Sequence, residues 1–450
     1  MTAENILKVR EDSKPIRFKQ NGEDGFRVTS DNRSSWFGEN LGVPDLRKRI
    51  EPWLSSLFQS EHLSLLAGSG LTHAVHHLAV GKSATGMNTP KFKTCGDKIS
   101  KAAKESAERM SRNGENLEDA LRVANELLRG LEILDHDRTD DLRSEIDMTI
   151  NEFAQSILTS ERGIATAVSE KREQAFNVLV SFLMSFAGRG GPRERLHIFT
   201  TNYDRLIEAG AELAGMHLLD RFVGTLAPVF RSSRLNLDMH YNPPGIKGEP
   251  RFLEGVAHFT KLHGSVDWVT TGEDIRRVGL PFGAESLEPY LEAPGLNGAS
   301  AFQLMIYPNS SKDRETAGYP YVEMFRDLAG ALCRPNSTLV TYGYSFGDDH
   351  INRVLRDMLT IPSTHVVIIS HDDASNRIIK FYENIGRSAQ MSLLVGPDLA
   401  DLAKLTQNYL PKPAIDRTTF RMAELLRQRF GTEEPSAEKG REGAGPGDES

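Results

Sequence analysis

Four short apolar runs in this chain each stop at small or polar residues. Residues 63–67 run into Gly68-Ser69-Gly70, and 196–200 into Thr201-Asn202-Tyr203-Asp204. Residues 258–262 run into His263-Gly264, and 338–342 into Gly343-Tyr344-Ser345. A fifth run at 364–370, THVVIIS, has no polar alternation, as expected of a strand buried on both faces. Helical patterns follow most of these runs. Strands that alternate with helices fold as an α/β layer around a mostly parallel sheet. In such sheets ligands sit beyond the carboxyl ends of the strands. Four such endings on one rim constrain both the fold and the place of any site.

The chain has 450 residues, long enough for more than one folding unit. Residues 1–60 are polar and mixed and read as an N-terminal arm followed by one helix. Residues 61–95 and 189–430 read as the α/β domain. Between these two pieces, residues 96–188 carry helical stripes alone, including Leu117, Leu121, Ala124, Leu128 and Leu131. They read as an all-helical insertion closed by the glycine-rich linker at 187–195. Strands are also expected at 303–307, and helices at 319–333, 348–359 and 373–384. Residues 431–450 lack the apolar content to order themselves and read as a disordered tail.

Charge excludes some partners. The net charge is -8, and half of it lies in the tail, where six acids face Lys439 and Arg441. Such a chain has no general pull toward nucleic acid. No run of about 18 apolar residues is present, so a membrane span is not expected, and the first residues show no secretory signal. Cys95 and Cys333 are too few for a disulfide framework or a four-cysteine zinc site. A reducing cytoplasm fits that usage.

Each strand ending has a chemical reading and a local one. Gly68, Ser69 and Gly70 let backbone N–H groups approach a phosphate at a helix start, or simply make a tight turn. Asn202 can orient a water or hold a ribose. Asp204 can accept from ribose hydroxyls or cap the next helix. His263 beside Gly264 has room to act as a general base. The stretch from Gly343 to His350 suits a ribose or adenine contact, or an N-cap by Ser345 or Asp348. His73, His76 and His77 read as a packed or solvated face.

Taken in order, these elements resemble the sirtuin superfamily, and within it the bacterial defence-associated branch. Gly68-Ser69-Gly70-Leu71-Thr72 stands where that family has G-A-G-x-S. Thr200-Thr201-Asn202-Tyr203-Asp204 stands for T-Q-N-x-D, and Leu262-His263-Gly264 for the catalytic histidine and its glycine. Gly343-Tyr344-Ser345 matches the late G-x-S element, and YGYSFGDDHINRVL resembles the bacterial branch in particular. Three departures stand out: the four-cysteine zinc module is missing, Thr201 replaces the usual Gln, and no P-D-F-R stretch follows the first glycines.

The resemblance implies a Rossmann-like domain that takes NAD+ as substrate and cleaves its nicotinamide–ribose bond, with no metal. Asn202 and His263 would be catalytic. Gly68, Ser69, Gly70 and Thr72 would cradle the pyrophosphate, and Asp204, Gly343, Ser345 and Asp349 would complete the dinucleotide site. It further implies a cytoplasmic NAD+ glycohydrolase serving as a toxic antiphage effector. Its expected partners are a HerA-type ATPase or another defence-system component and further copies of itself. Two rivals share the site: an NAD-dependent deacylase or ADP-ribosyltransferase, and a nonenzymatic NAD or ADP-ribose sensor.

Overall fold

A computed structural model of the chain describes residues 4–9, 12–22, 25–29, 41–84, 89–109, 115, 117–188, 194–234, 238–241, 251–253, 255–272, 274–296, 299–301 and 320–412. Among these, eleven strands join in one sheet. Numbered along the chain within that sheet, they are β1 (Glu4–Lys8), β2 (Ile16–Gln20), β3 (Gly25–Val28), β4 (Leu41–Gly42), β5 (His62–Ala67), β6 (Leu196–Thr200), β7 (His217–Leu219), β8 (Val256–Lys261), β9 (Ser337–Tyr342), β10 (His365–Ser370) and β11 (Met391–Val395). Their spatial order is β4-β3-β2-β1-β11-β10-β9-β5-β6-β8-β7. Neighbours from β11 to β7 are parallel, and those from β4 to β11 antiparallel.

The helices are α1 (Val43–Leu57), α2 (Ser69–Val80), α3 (Gly96–Arg109), α4 (Leu117–Ile133), α5 (Thr139–Ala165), α6 (Ser169–Ala187), α7 (Leu206–Leu213), α8 (Tyr321–Leu332), α9 (Asp349–Met358) and α10 (Arg377–Ile385), with short turns of helix beyond. None of the described helices is long and apolar enough to cross a membrane.

Successive strand residues point to opposite faces, so a strand apolar at every position must be covered twice. Leu65, Val340, Val367 and Leu394 join one core with Leu54 of α1, Val75 of α2, Leu179 of α6 and Leu206 of α7. Their neighbours Leu66, Leu339, Ile368 and Leu393 join a second core with Leu328 of α8, Leu355 of α9 and Ile378 of α10. The result is a three-layer α/β/α arrangement, the Rossmann-like class expected. A third core lies among α4 and α5, where Leu121, Ile146 and Phe153 pack with Tyr203 and Val269.

The parallel strands end level. Ala67 pairs with Thr200 on one side and with Tyr342 on the other, and Thr200 pairs with Lys261. The four endings therefore leave the sheet along one rim. The chain builds outward from β5 through β6 to β7 and β8, then returns to lay β9, β10 and β11 on the other side. The reversal falls between β5 and β9, which is where ligands bind in open α/β sheets.

Residues 1–60 differ from the expected arm and single helix, because four strands precede α1 and extend the sheet from β11. In β2 only Ile16 and Phe18 are buried, while Arg17 and Lys19 face outward, so the segment is polar in composition yet half-buried. Pro52 lies inside α1. The segment 96–188 carries α3 to α6. The strand expected at 303–307 and the tail at 431–450 lie outside the described residues.

Ser392 of β11 pins α1 to the sheet. Trp53 Nε1 donates to its Oγ at 2.9 Å, and His365 Nε2 of β10 lies 2.9 Å from the same oxygen. Burial pushes the His365 imidazole down to about 4, and nearby Lys8 adds to the shift. The native ring is therefore neutral at pH values where the unfolded one, near 6.5, takes a proton. Stability from this group is present above 6.5 and is lost as pH falls toward 4. Between pH 7 and pH 5 the loss is about 2 kcal/mol. We expect urea unfolding of the wild type to lose that much more stability over this range than His365→Gln does. Equal losses would show that the ring is not held neutral.

Candidate active site

A cavity of about 330 Å³ opens at the reversal point, within the size range of small-molecule sites. All four strand endings reach it. Gly68, Ser69 and Thr72 come from the first, Asn202 and Asp204 from the second, His263 from the third, and Ser345 from the fourth.

The first and fourth endings meet backbone to backbone. Gly68 N donates to Tyr342 O at 2.9 Å, and Gly70 N to Gly343 O at 3.1 Å. A Cβ on Gly68 would stand 2.4 Å from Gly343 O, and one on Gly70 would stand 2.6 Å from Gly343 Cα. Gly343 itself has a φ of +61°, which favours glycine. Gly70 and Gly343 are not cavity-lining residues. Their lack of a side chain is explained by this contact rather than by room for a phosphate. Gly68 and Ser69 do face the cavity, at the start of the 12-residue helix α2.

The second ending is wired to the first. Asn202 is 7% exposed, and its Nδ2 donates to Gly68 O and to Thr72 Oγ1, both at 3.0 Å. Thr72 Oγ1 in turn donates a hydrogen bond to Asp204 Oδ2 at 2.6 Å. The other oxygen, Asp204 Oδ1, accepts from Leu206 N at 3.0 Å at the start of α7. Asp204 thus accepts a backbone N–H at the start of α7 and lines the cavity as well. Because both N–H bonds of Asn202 are used to hold it, the carbonyl end of its amide is left as the acceptor for a ligand.

His263 is 2% exposed and Asp348 is 4% exposed, and the imidazole Nε2 lies 2.9 Å from Asp348 Oδ2. The sequence offered Asp348 only as a cap. It does cap α9, through Oδ1, and the second oxygen reaches His263. Asp349, expected to hold a ribose, is instead exposed and is not a cavity-lining residue. As the first residue of α9, it points outward where its neighbour points in.

Several cavity residues escaped the sequence reading. Arg377, at the start of α10, reaches the cavity and donates through Nε to Ser345 O at 2.8 Å. It is the only Arg or Lys among the described lining residues. His73 also lines the cavity, and burial pushes its pKa down, so it is uncharged there at neutral pH. It sits four residues after Ser69, one helical turn in, and that spacing was its available signal. His76 is buried against Lys82 O, and His77 is exposed.

Phe153, Ile157 and Ser160 of α5, with Glu118 of α4, form the opposite wall. The next residue of α5, Glu161, is 2% exposed and accepts from Arg205 N at 2.7 Å and from the Arg205 guanidinium. That guanidinium also donates to the carbonyls of Leu280 and Pro281. The helical segment is thereby fastened to the residue that follows Asp204. Among the described residues no cluster of three His, Cys, Asp or Glu is placed to hold a metal ion.

The glycine contact gives a direct test. Gly70→Ala should destabilise the protein by about 1–3 kcal/mol, because the new methyl group meets backbone that cannot turn away. Gly130→Ala, inside α4 with nothing within 4 Å of the added carbon, should be neutral or stabilise by up to about 1 kcal/mol. Denaturant unfolding of the two variants measures the difference in sign.

A search of curated proteins finds no match to this chain. A match to a family does exist, and it covers three of the four strand endings, beginning at β6 and running past α10. Residues 196–388 match the model of the SIR2-like domain family.

Proposed function

We propose that this protein hydrolyses NAD+ at the nicotinamide–ribose bond, giving nicotinamide and ADP-ribose, and that it acts as the toxic effector of a bacterial antiphage defence. The observation that carries the reading is the shared cavity: Asn202 and His263, from different strand endings, face one space with the helix α2 start beside it.

The residues suit the chemistry. Cleavage leaves an oxocarbenium-like sugar carbon and neutral nicotinamide, so the protein's task is to position groups and stabilise charge. The Asn202 carbonyl orients the attacking water or a ribose hydroxyl. Water adds to the sugar carbon as the bond to nicotinamide breaks, the bonding pair leaves with the ring nitrogen, and His263 takes the water's proton. Ser69 and Thr72 at the helix start, with Arg377 across the cavity, face the diphosphate. Ser345 and Asp204 face the riboses. The wall formed by α5 favours water over an acyl-peptide as the acceptor.

Unchecked NAD+ loss kills a cell, so such an effector needs a trigger. A HerA-type ATPase, another defence-system partner or assembly into a homo-oligomer would supply it, in a cytoplasmic setting.

The test incubates purified protein with NAD+, alone and with the product of a neighbouring gene, and follows nicotinamide and ADP-ribose. Asn202→Ala and His263→Ala should each lower the rate by about 100-fold or more in protein that unfolding curves show to be folded at the assay temperature, although each variant loses buried hydrogen bonds and some stability. Wild-type rates in both variants would overturn the site. NAD+ consumption only in the presence of an acylated peptide would favour the deacylase reading, and tight binding without turnover the sensor.

A further inference from the structure

We propose that Asp348 is a positioning residue that decides which nitrogen of His263 acts as the base. This rests on the hydrolytic reading above for its catalytic meaning, but its geometry stands apart from it. Asp348 Oδ1 accepts from His350 N at 3.0 Å and Ile351 N at 3.4 Å at the start of α9. Backbone N–H groups and the positive end of a helix both favour the ionised carboxylate. An ionised carboxylate only accepts, so His263 Nε2, 2.9 Å from Oδ2, must carry the hydrogen. In the neutral ring the lone pair then sits on Nδ1, and Nδ1 is the atom that takes the proton from water. The resulting imidazolium keeps Asp348 as its counter-charge.

The loop holding Asp348 is rigid by construction. Tyr344 Oη lies 3.1 Å from both Asp348 O and Asn352 Oδ1, and Asn352 Nδ2 donates to Phe346 O at 3.0 Å. Phe346 is held at a φ of +55° in that loop. The ring of Tyr203, centred 6.2 Å away, packs beside His263. The other ionisable side chains around the same cavity are His73, Glu118, Asp204 and Arg377.

The test is Asp348→Asn, which keeps an N-cap for α9 because an amide oxygen still accepts from its backbone. Its NH2 then faces Nε2 and draws the lone pair there, away from Nδ1. We expect kcat to fall by on the order of 10²–10⁴ with KM within about threefold of wild type. Loss of the counter-charge should also move the acidic limb of kcat/KM to lower pH, by about one unit or more. A kcat within about threefold of wild type, with an unmoved limb, overturns the proposal. NMR of histidine-labelled protein, assigned through His263→Gln, reads the same assignment with no substrate present. It should show the Nε2-protonated ring in wild type and a lower imidazole pKa in Asp348→Asn. An Nδ1-protonated ring in wild type overturns the role of Asp348. The expected NMR result in a wild-type protein that releases no nicotinamide, either alone or with the neighbouring gene's product, overturns the hydrolytic reading instead.

Discussion

Two backbone segments touch where the sheet reverses direction, and the rest of the site is arranged around that contact. Gly68 and Gly70 lie against Gly343 with no space for a side chain between them. The contact joins strands that are neighbours in the sheet but some 275 residues apart in the chain. It fixes the Gly68 carbonyl, which receives the amide of Asn202, and it fixes the loop that carries Ser345 and Asp348. A parallel sheet brings its strand ends to one edge. Only close packing of the turns converts that edge into a cavity with defined walls.

The polar groups of the site form two chains of hydrogen bonds, one from Gly68 through Asn202 and Thr72 to Asp204, the other from His263 to Asp348. Each ends at a carboxylate that accepts a backbone N–H at the start of a helix. The same two acids therefore stabilise helix starts and orient the groups that face the cavity. Such double use ties the folding of α7 and α9 to the order of the site.

The sequence showed the parallel strands and their endings because strands buried on both faces read as unbroken apolar runs. The same logic hid the antiparallel edge, where β2 alternates Ile16 and Phe18 with charged residues. β11, although wholly buried, went unread beside the stronger helical pattern before it. Asn202 and His263 were legible as side chains placed just past a strand. Asp348 was legible only as a cap, since one residue's two oxygens cannot be assigned separate partners from a string of letters. Arg377 and the residues of α5 belong to the site through packing between distant segments, and no local spacing records that.

The far wall of the cavity is one face of α5. By helical geometry Thr159, which is exposed, stands about half a turn around the axis from Ile157 and nearly level with it. Only the thickness of a single helix, about 10 Å, separates outside solvent from the chamber. Glu161, on the same rod, grips the residue next to Asp204. A body leaning on the outer flank of α5 would press on the chamber with no intervening layer to absorb the push.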